Sequence, residues 1–187
     1  MKLVALSLLI ALAVGTLLGG RLSALSDLRI RFAPLAIVGF AMQIVNPPGR
    51  WPLVLLLGSF VLLTIFAIAN LRTPGFAIVL IGVAMNFAVI AVNGGMPVAS
   101  DAIVASGQAE TLAGLVEGRG VKHHLAGPGD DLLFLGDVIA LPPPVGQVIS
   151  LGDIFTYGGV SMIVAAGMRG RRRSDAGPIA EASRVEA

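Results

Sequence analysis

Two short strings share a pattern that could do chemistry: Leu135-Gly136-Asp137-Val138-Ile139 and Leu151-Gly152-Asp153-Ile154-Phe155. Each sets one acid among apolar neighbours, directly after a glycine that permits close backbone approach. Two carboxylates brought together in a low-dielectric site do not both ionise easily. They share a proton, and one then serves as general base while the other serves as acid toward an attacking water. That is aspartyl-protease chemistry, and Asp137 and Asp153 are its candidate catalytic residues. The plainer reading is structural, with Asp137 capping the start of a helix and Asp153 hydrogen-bonding a neighbouring one. An ionisable group inside a membrane is costly, so the functional reading is carried beside the structural one.

Other polar residues are candidates for substrate binding. Asn93-Gly94-Gly95-Met96-Pro97 is a turn whose glycines let backbone amides face a substrate or an inserted loop. Asn86 stands two helical turns before Asn93 on one face and extends a polar line into the chain's apolar part, or else serves as interhelical glue. Lys122-His123-His124 offers a contact for an anionic headgroup or a means of tuning the acids. Adjacent histidines diverge on regular backbone, so a metal is not expected there. No cofactor is expected either, because Gly-rich phosphate loops, HExxH and GxSxG are all missing. Cys is absent, which excludes disulfides, thiolate metal sites and cysteine nucleophiles.

The series NGGMP, KHH, LGDVI followed by prolines, and SLGDI at the head of a final helix resembles a family of uncharacterised bacterial multi-pass membrane proteins of unknown function. That likeness covers Asn93 to Met168 and implies no activity. The second half also resembles, more faintly, signal peptidase II, the lipoprotein signal peptidase. Asn93 and Gly95 correspond to its Asn-x-Gly turn, Asp137 to its first acid and Asp153 to the acid opening its last helix. The chain departs from that pattern at Phe134 and Ser150, where the family has Asn, and no Arg follows Asp137.

These residues must be positioned by membrane-embedded elements. Of the chain, 56% is hydrophobic and 13% charged, against roughly 25% charged in a soluble domain. A hydrocarbon core about 30 Å thick needs about 20 apolar residues in a helix. The runs Leu3–Gly20, Trp51–Ala69, Gly75–Val92 and Val148–Met168 meet that length, and Phe32–Val45 spans if tilted or in a locally thinned bilayer. Leu132–Leu141 is apolar but short and runs into Pro142-Pro143-Pro144, which fits a re-entrant or interfacial segment. The expected fold class is therefore an all-α integral membrane protein of about five transmembrane helices, with that segment before the last. Residues 1–173 form a single bundle, 93–147 lie outside with an amphipathic helix at Ala102–Val116 and a loop at Gly118–Asp131, and 174–187 form a disordered cytoplasmic tail.

Basic residues orient the bundle. A cytoplasmic C-terminus puts Arg21, Arg29, Arg31, Arg72, Arg169, Arg171, Arg172 and Arg173 inside, and Lys2, Arg50, Arg119 and Lys122 outside. Eight against four favours that choice. The first helix reads as uncleaved, since no persuasive small-x-small site precedes Arg21. The net charge of +2 is orientation charge and not a nucleic-acid signature. The expected partners are membrane lipids and a membrane-anchored peptide or lipid-linked substrate. Three functional classes fit a multi-pass protein of the cell membrane with these features: an intramembrane aspartyl hydrolase, a lipid or small-molecule binding or transport component, and a membrane assembly factor. No internal repeat supports the usual secondary-transporter architecture.

Overall fold

Helices form where apolar runs are long and free of breakers, and they stop at Gly and Pro. The computed structural model describes residues 2–118 and 120–169. Helices α1 (Lys2–Leu17), α2 (Ala33–Ile44), α3 (Trp51–Ala69), α4 (Phe76–Asn93) and α7 (Leu151–Arg169) make up a mostly helical body. Between α4 and α7 lie strand β1 (Met96–Val98), helices α5 (Ser100–Ala105) and α6 (Ala109–Val116), and strands β2 (His123–Leu125), β3 (Ile139–Leu141) and β4 (Gln147–Ile149). The tail 174–187, the arginines at 171–173 and Arg119 fall outside the described residues.

Three helices, α3, α4 and α7, are long and apolar enough to cross a membrane; α1 and α2 are apolar but shorter. Length and composition thus support three spans and not the expected five. The shortening has local causes. After α1 the chain turns at Gly19, whose φ of 78° is left-handed. Helix α2 begins only after Phe32, itself left-handed, has turned the chain, and it ends before Asn46-Pro47-Pro48.

The helices pack in the order α1, α7, α4, α3, α2. Leu56, Phe60 and Leu63 of α3 meet Phe76, Val79 and Val83 of α4 in the main core, while Ile37, Phe40, Val54 and Ile65 remain exposed, as lipid-facing side chains would be. Antiparallel α4 and α7 approach closest at two glycine contacts one heptad apart. A Cβ on Gly82 would collide with the Gly152 carbonyl, and one on Gly159 would come within 2.8 Å of the Gly75 carbonyl. Small residues allow such contact between helices in lipid.

The region between α4 and α7 differs from the sequence expectation. The amphipathic helix expected at Ala102–Val116 is two helices, broken where Gly107 takes φ 78°. The loop expected at Gly118–Asp131 contains β2, which pairs in parallel with β1. The segment Leu132–Leu141, expected as a re-entrant or interfacial segment, is not helical along its length. It forms a 3-10 turn at Leu133–Leu135 and then β3, antiparallel to β4. Its β-branched residues and the prolines after it favour a short strand over a helix.

Candidate functional site

Three of the strings singled out in the sequence meet on one strip of backbone. Register places Met96 beside His123 and Pro97 beside His124. On the other edge of β1, Val98 bridges Asp137. The Asp137 N–H donates to the Pro97 carbonyl at 2.9 Å, and the Asp137 carbonyl accepts from Ala99 N–H at 3.0 Å. A Cβ on Gly136 would stand 2.7 Å from the Pro97 carbonyl oxygen, so the glycine of this Leu-Gly-Asp string is what lets the acid dock.

The Asp137 side chain is held there without help. It is buried, and among the described residues no donor hydrogen-bonds its carboxyl; an ionisable neighbour is His123, with Nε2 3.9 Å from Oδ2. Burial first, and the negative charge of Asp153 second, push its pKa up to about 8. Burial pushes the His123 imidazole down, with Asp153 opposing and Lys122 and His124 adding to the shift. Near neutral pH both groups are therefore mostly uncharged. Half of the His123 side-chain surface, 52%, is still accessible. A ring in a concave wall can be surrounded by protein and yet reachable.

That wall belongs to a cavity of about 590 Å³, lined by Gln43, Pro52, Ile103, Lys122, His123 and Asp137 among others. The Lys122 ammonium donates to the carbonyls of Gln43 at 2.6 Å and Val45 at 3.1 Å, at the C-terminal end of α2. A cation is favourable there, because the last carbonyls of a helix have no intrahelical partner and carry partial negative charge.

Asp153 occupies a different environment. Its Oδ2 accepts from Ser150 N–H at 3.1 Å, while Asp153 N–H donates to Ser150 Oγ at 3.0 Å. This reciprocal pair is a capping box at the start of α7. Asn86 completes it from α4. Its amide donates to Asp153 Oδ1 at 2.9 Å, and its carbonyl oxygen accepts from Ser150 Oγ at 2.8 Å. Both carboxylate oxygens are engaged.

The remaining candidates are dispersed into supporting contacts. Asn93 clamps Asp131, donating to its carbonyl and accepting from its N–H, each at 2.8 Å. Gly94 ends α4 in the left-handed conformation, and Gly95 underlies His124. His124 Nε2 pairs with Asp130 Oδ1 at 2.8 Å. Among the described residues no group of three or more His, Asp or Glu side chains is arranged to hold a metal. Sequence reasoning missed Ser150 as a partner, although Ser-x-x-Asp before an apolar run is a capping-box signature. It counted Gln43, with Asn86 and Asp153, only toward a polar path of a binding or transport component, and gave no role to Tyr157, which lies one turn after Asp153, within electrostatic reach of both acids.

The model of a family of unknown function, DUF5317, matches residues 21–165. The chain belongs to the DUF5317 family. The DUF5317 match begins after α1 and takes in the cavity wall, the strip of strands and the capping box of α7. It carries no activity with it. No curated protein and no solved structure matches the chain, so the likeness to signal peptidase II rests on the order of residues alone.

Proposed function

We propose that the chain is a multi-pass protein of the cell membrane whose extracytoplasmic pocket binds a small or lipid-borne polar ligand through Asp137 and His123. In this reading residues 1–173 form one five-span bundle with a cytoplasmic C-terminus. Helices α1 and α2 then cross by tilting or in a thinned bilayer. The observation that carries the binding reading is a buried acid, with no hydrogen bond to a described residue, on the wall of a cavity of about 590 Å³. The carboxyl is reached from the cavity, and a ligand that supplies donors would pair with it there.

The test is native mass spectrometry of protein extracted from membranes. A copurifying molecule should be present in the wild type and lost in Asp137→Asn, with the thermal midpoint retained. Identical spectra would overturn the binding reading. For topology, a reporter after Arg173 should be cytoplasmic and one near Gly118 extracytoplasmic; finding both on one side would overturn the five-span arrangement.

A second reading, an aspartyl hydrolase using Asp137 and Asp153, is favoured by one observation: the charge of Asp153 raises the pKa of Asp137, as in a proton-sharing pair. Against it, Asp153 already spends both oxygens on Ser150 and Asn86. The hydrolase reading requires Asp137→Asn and Asp153→Asn each to abolish turnover at unchanged stability. Accumulation of uncut membrane substrates in a deletion strain gives the activity readout. Full complementation by both variants would end it.

A further inference from the structure

Helix α2 stops short beside α3, and the cavity lies over its end. Gln43 Nε2 donates to Ser59 Oγ at 3.0 Å, and Gly39 faces Leu63. The last turn of α2 is therefore level with Gly58 and Ser59. Helix α3 continues past it by seven residues, from Trp51 to Leu57, or about 10 Å at the helical rise. Gln43, Asn46, Pro47 and Pro52 line the cavity in that notch, with Lys122, His123 and Asp137 on the wall beyond.

The chemistry of the wall and the chemistry of the rim differ. The wall offers an ammonium and an acid. Lys122 spends its N–H groups on two carbonyls of the α2 end, and an ammonium has three. The Asp137 carboxyl accepts no hydrogen bond from a described residue. The segments next to the lining carry exposed apolar side chains: Ile44 is 78% exposed and Trp51 62%, with Val45, Val54, Val116 and Val121 also exposed, beside the polar Asn46 and Thr111 of the lining. Polar groups inside and apolar side chains nearby suit an amphiphile. One cation and one unpaired acid in the same pocket also suit a ligand bearing both signs. An anion alone would meet Asp137, and a cation alone would meet Lys122.

Resting on the binding reading above, we propose that this pocket takes the headgroup of an outer-leaflet phospholipid bearing a primary ammonium, entering sideways over the end of α2. The ammonium donates to Asp137, and the phosphate takes the remaining N–H of Lys122. A quaternary choline has no N–H to give Asp137, and a glycerol headgroup has no charge to match it.

Trp51 is the only Trp in the chain and adjoins Pro52 of the wall, so it reports on the mouth. The full-length protein in detergent would be titrated with lipids brominated in the acyl chains and bearing ethanolamine, choline or glycerol heads. The ethanolamine lipid should quench Trp51 saturably at a concentration at least tenfold lower than the other two. Asp137→Asn should erase that preference, and Asp101→Asn, at an exposed position of α5, should leave it. N-acetylating the ethanolamine should erase it in the wild type as well, a result independent of how any variant folds. Equal quenching by all three lipids overturns the proposal. So does competition by glycerophosphoethanolamine at the same concentration as the lipid, although that outcome leaves the binding reading standing. An Asp137-dependent ligand in the mass spectra that is not such a lipid would separate the two in the same way.

Discussion

Asp153 and Asp137 each follow a Leu-Gly pair, each gains its position because the glycine admits a neighbouring backbone, and each is mostly withdrawn from water; their surroundings are otherwise opposite. Asp153 opens a long helix and receives donors from Ser150 and Asn86 on both oxygens. Asp137 lies at a strand edge, its carboxyl receives no donor from a described side chain or backbone group, and it faces a cavity. The first acid stabilises its surroundings by accepting hydrogen bonds. The second is held in place by its backbone, leaving its carboxyl open to a ligand. What separates them is the supply of donors, and local sequence shows little of that supply.

The comparison breaks most visibly at the glycine before the bonded acid. A Cβ on Gly152 would collide with the Asn86 side chain and come 2.8 Å from the Gly82 carbonyl. Overpacking costs roughly 1 to 3 kcal/mol, and displacing Asn86 strands buried polar groups at about 1 to 3 kcal/mol more. Gly152→Val should therefore abolish the yield of monodisperse protein in size-exclusion chromatography. A normal yield would mean that α4 and α7 do not pack as closely as described. Next in size is Asp153→Asn, which keeps the shape but weakens the cap by about 1 kcal/mol or slightly more. Its thermal midpoint should fall, whereas that of Asp137→Asn should not. The reverse order would exchange the roles assigned to the two acids.

The long apolar runs made α3, α4 and α7 legible, because twenty apolar residues in a row have few other solutions. The region between α4 and α7 was harder. Its strands are three residues long, and β1 pairs with β2 across more than twenty intervening residues, so no local periodicity announces them. The site was half legible. Composition and spacing pointed to NGGMP, KHH and the two Leu-Gly-Asp strings, and the fold brings the first three together. That His124 would turn to Asp130 while His123 faces the cavity depends on which side of β2 each residue takes. Gln43 was invisible as a wall residue, since its place follows from where α2 stops.

The pH dependence of stability sharpens the contrast further. The folded pKa of Asp137 is raised from the usual carboxylate range to about 8. Between about pH 4 and 8 the unfolded chain has lost this proton and the folded chain still holds it, so stability falls as pH rises through that window. Asn does not titrate. The midpoint of Asp137→Asn should therefore pull progressively above that of the wild type from pH 4 to 8 and then run parallel. A constant difference across that range would mean that Asp137 is ionised, with a partner supplying its charge.

The smallest effect, and the opposite sign, belongs to Asp130. Its hydrogen bond to His124, and next that from Gly127 N–H at 2.8 Å, hold its carboxyl below the usual range. A depressed acid contributes stability that is present above its unfolded pKa and lost as pH falls through the folded one. The His124 side chain is 35% accessible, and solvent-screened pairs contribute less than about 1 kcal/mol. Asp130→Asn should thus lower the midpoint slightly at pH 7, and the difference should fade only as pH falls through the depressed folded pKa, below the usual carboxylate range. The local readout is more sensitive than the global one. Hydrogen exchange at the Gly127 amide should speed up in Asp130→Asn at pH 7, because that amide donates to the carboxylate being removed. Unchanged exchange there would mean that the turn after β2 holds its shape without the acid.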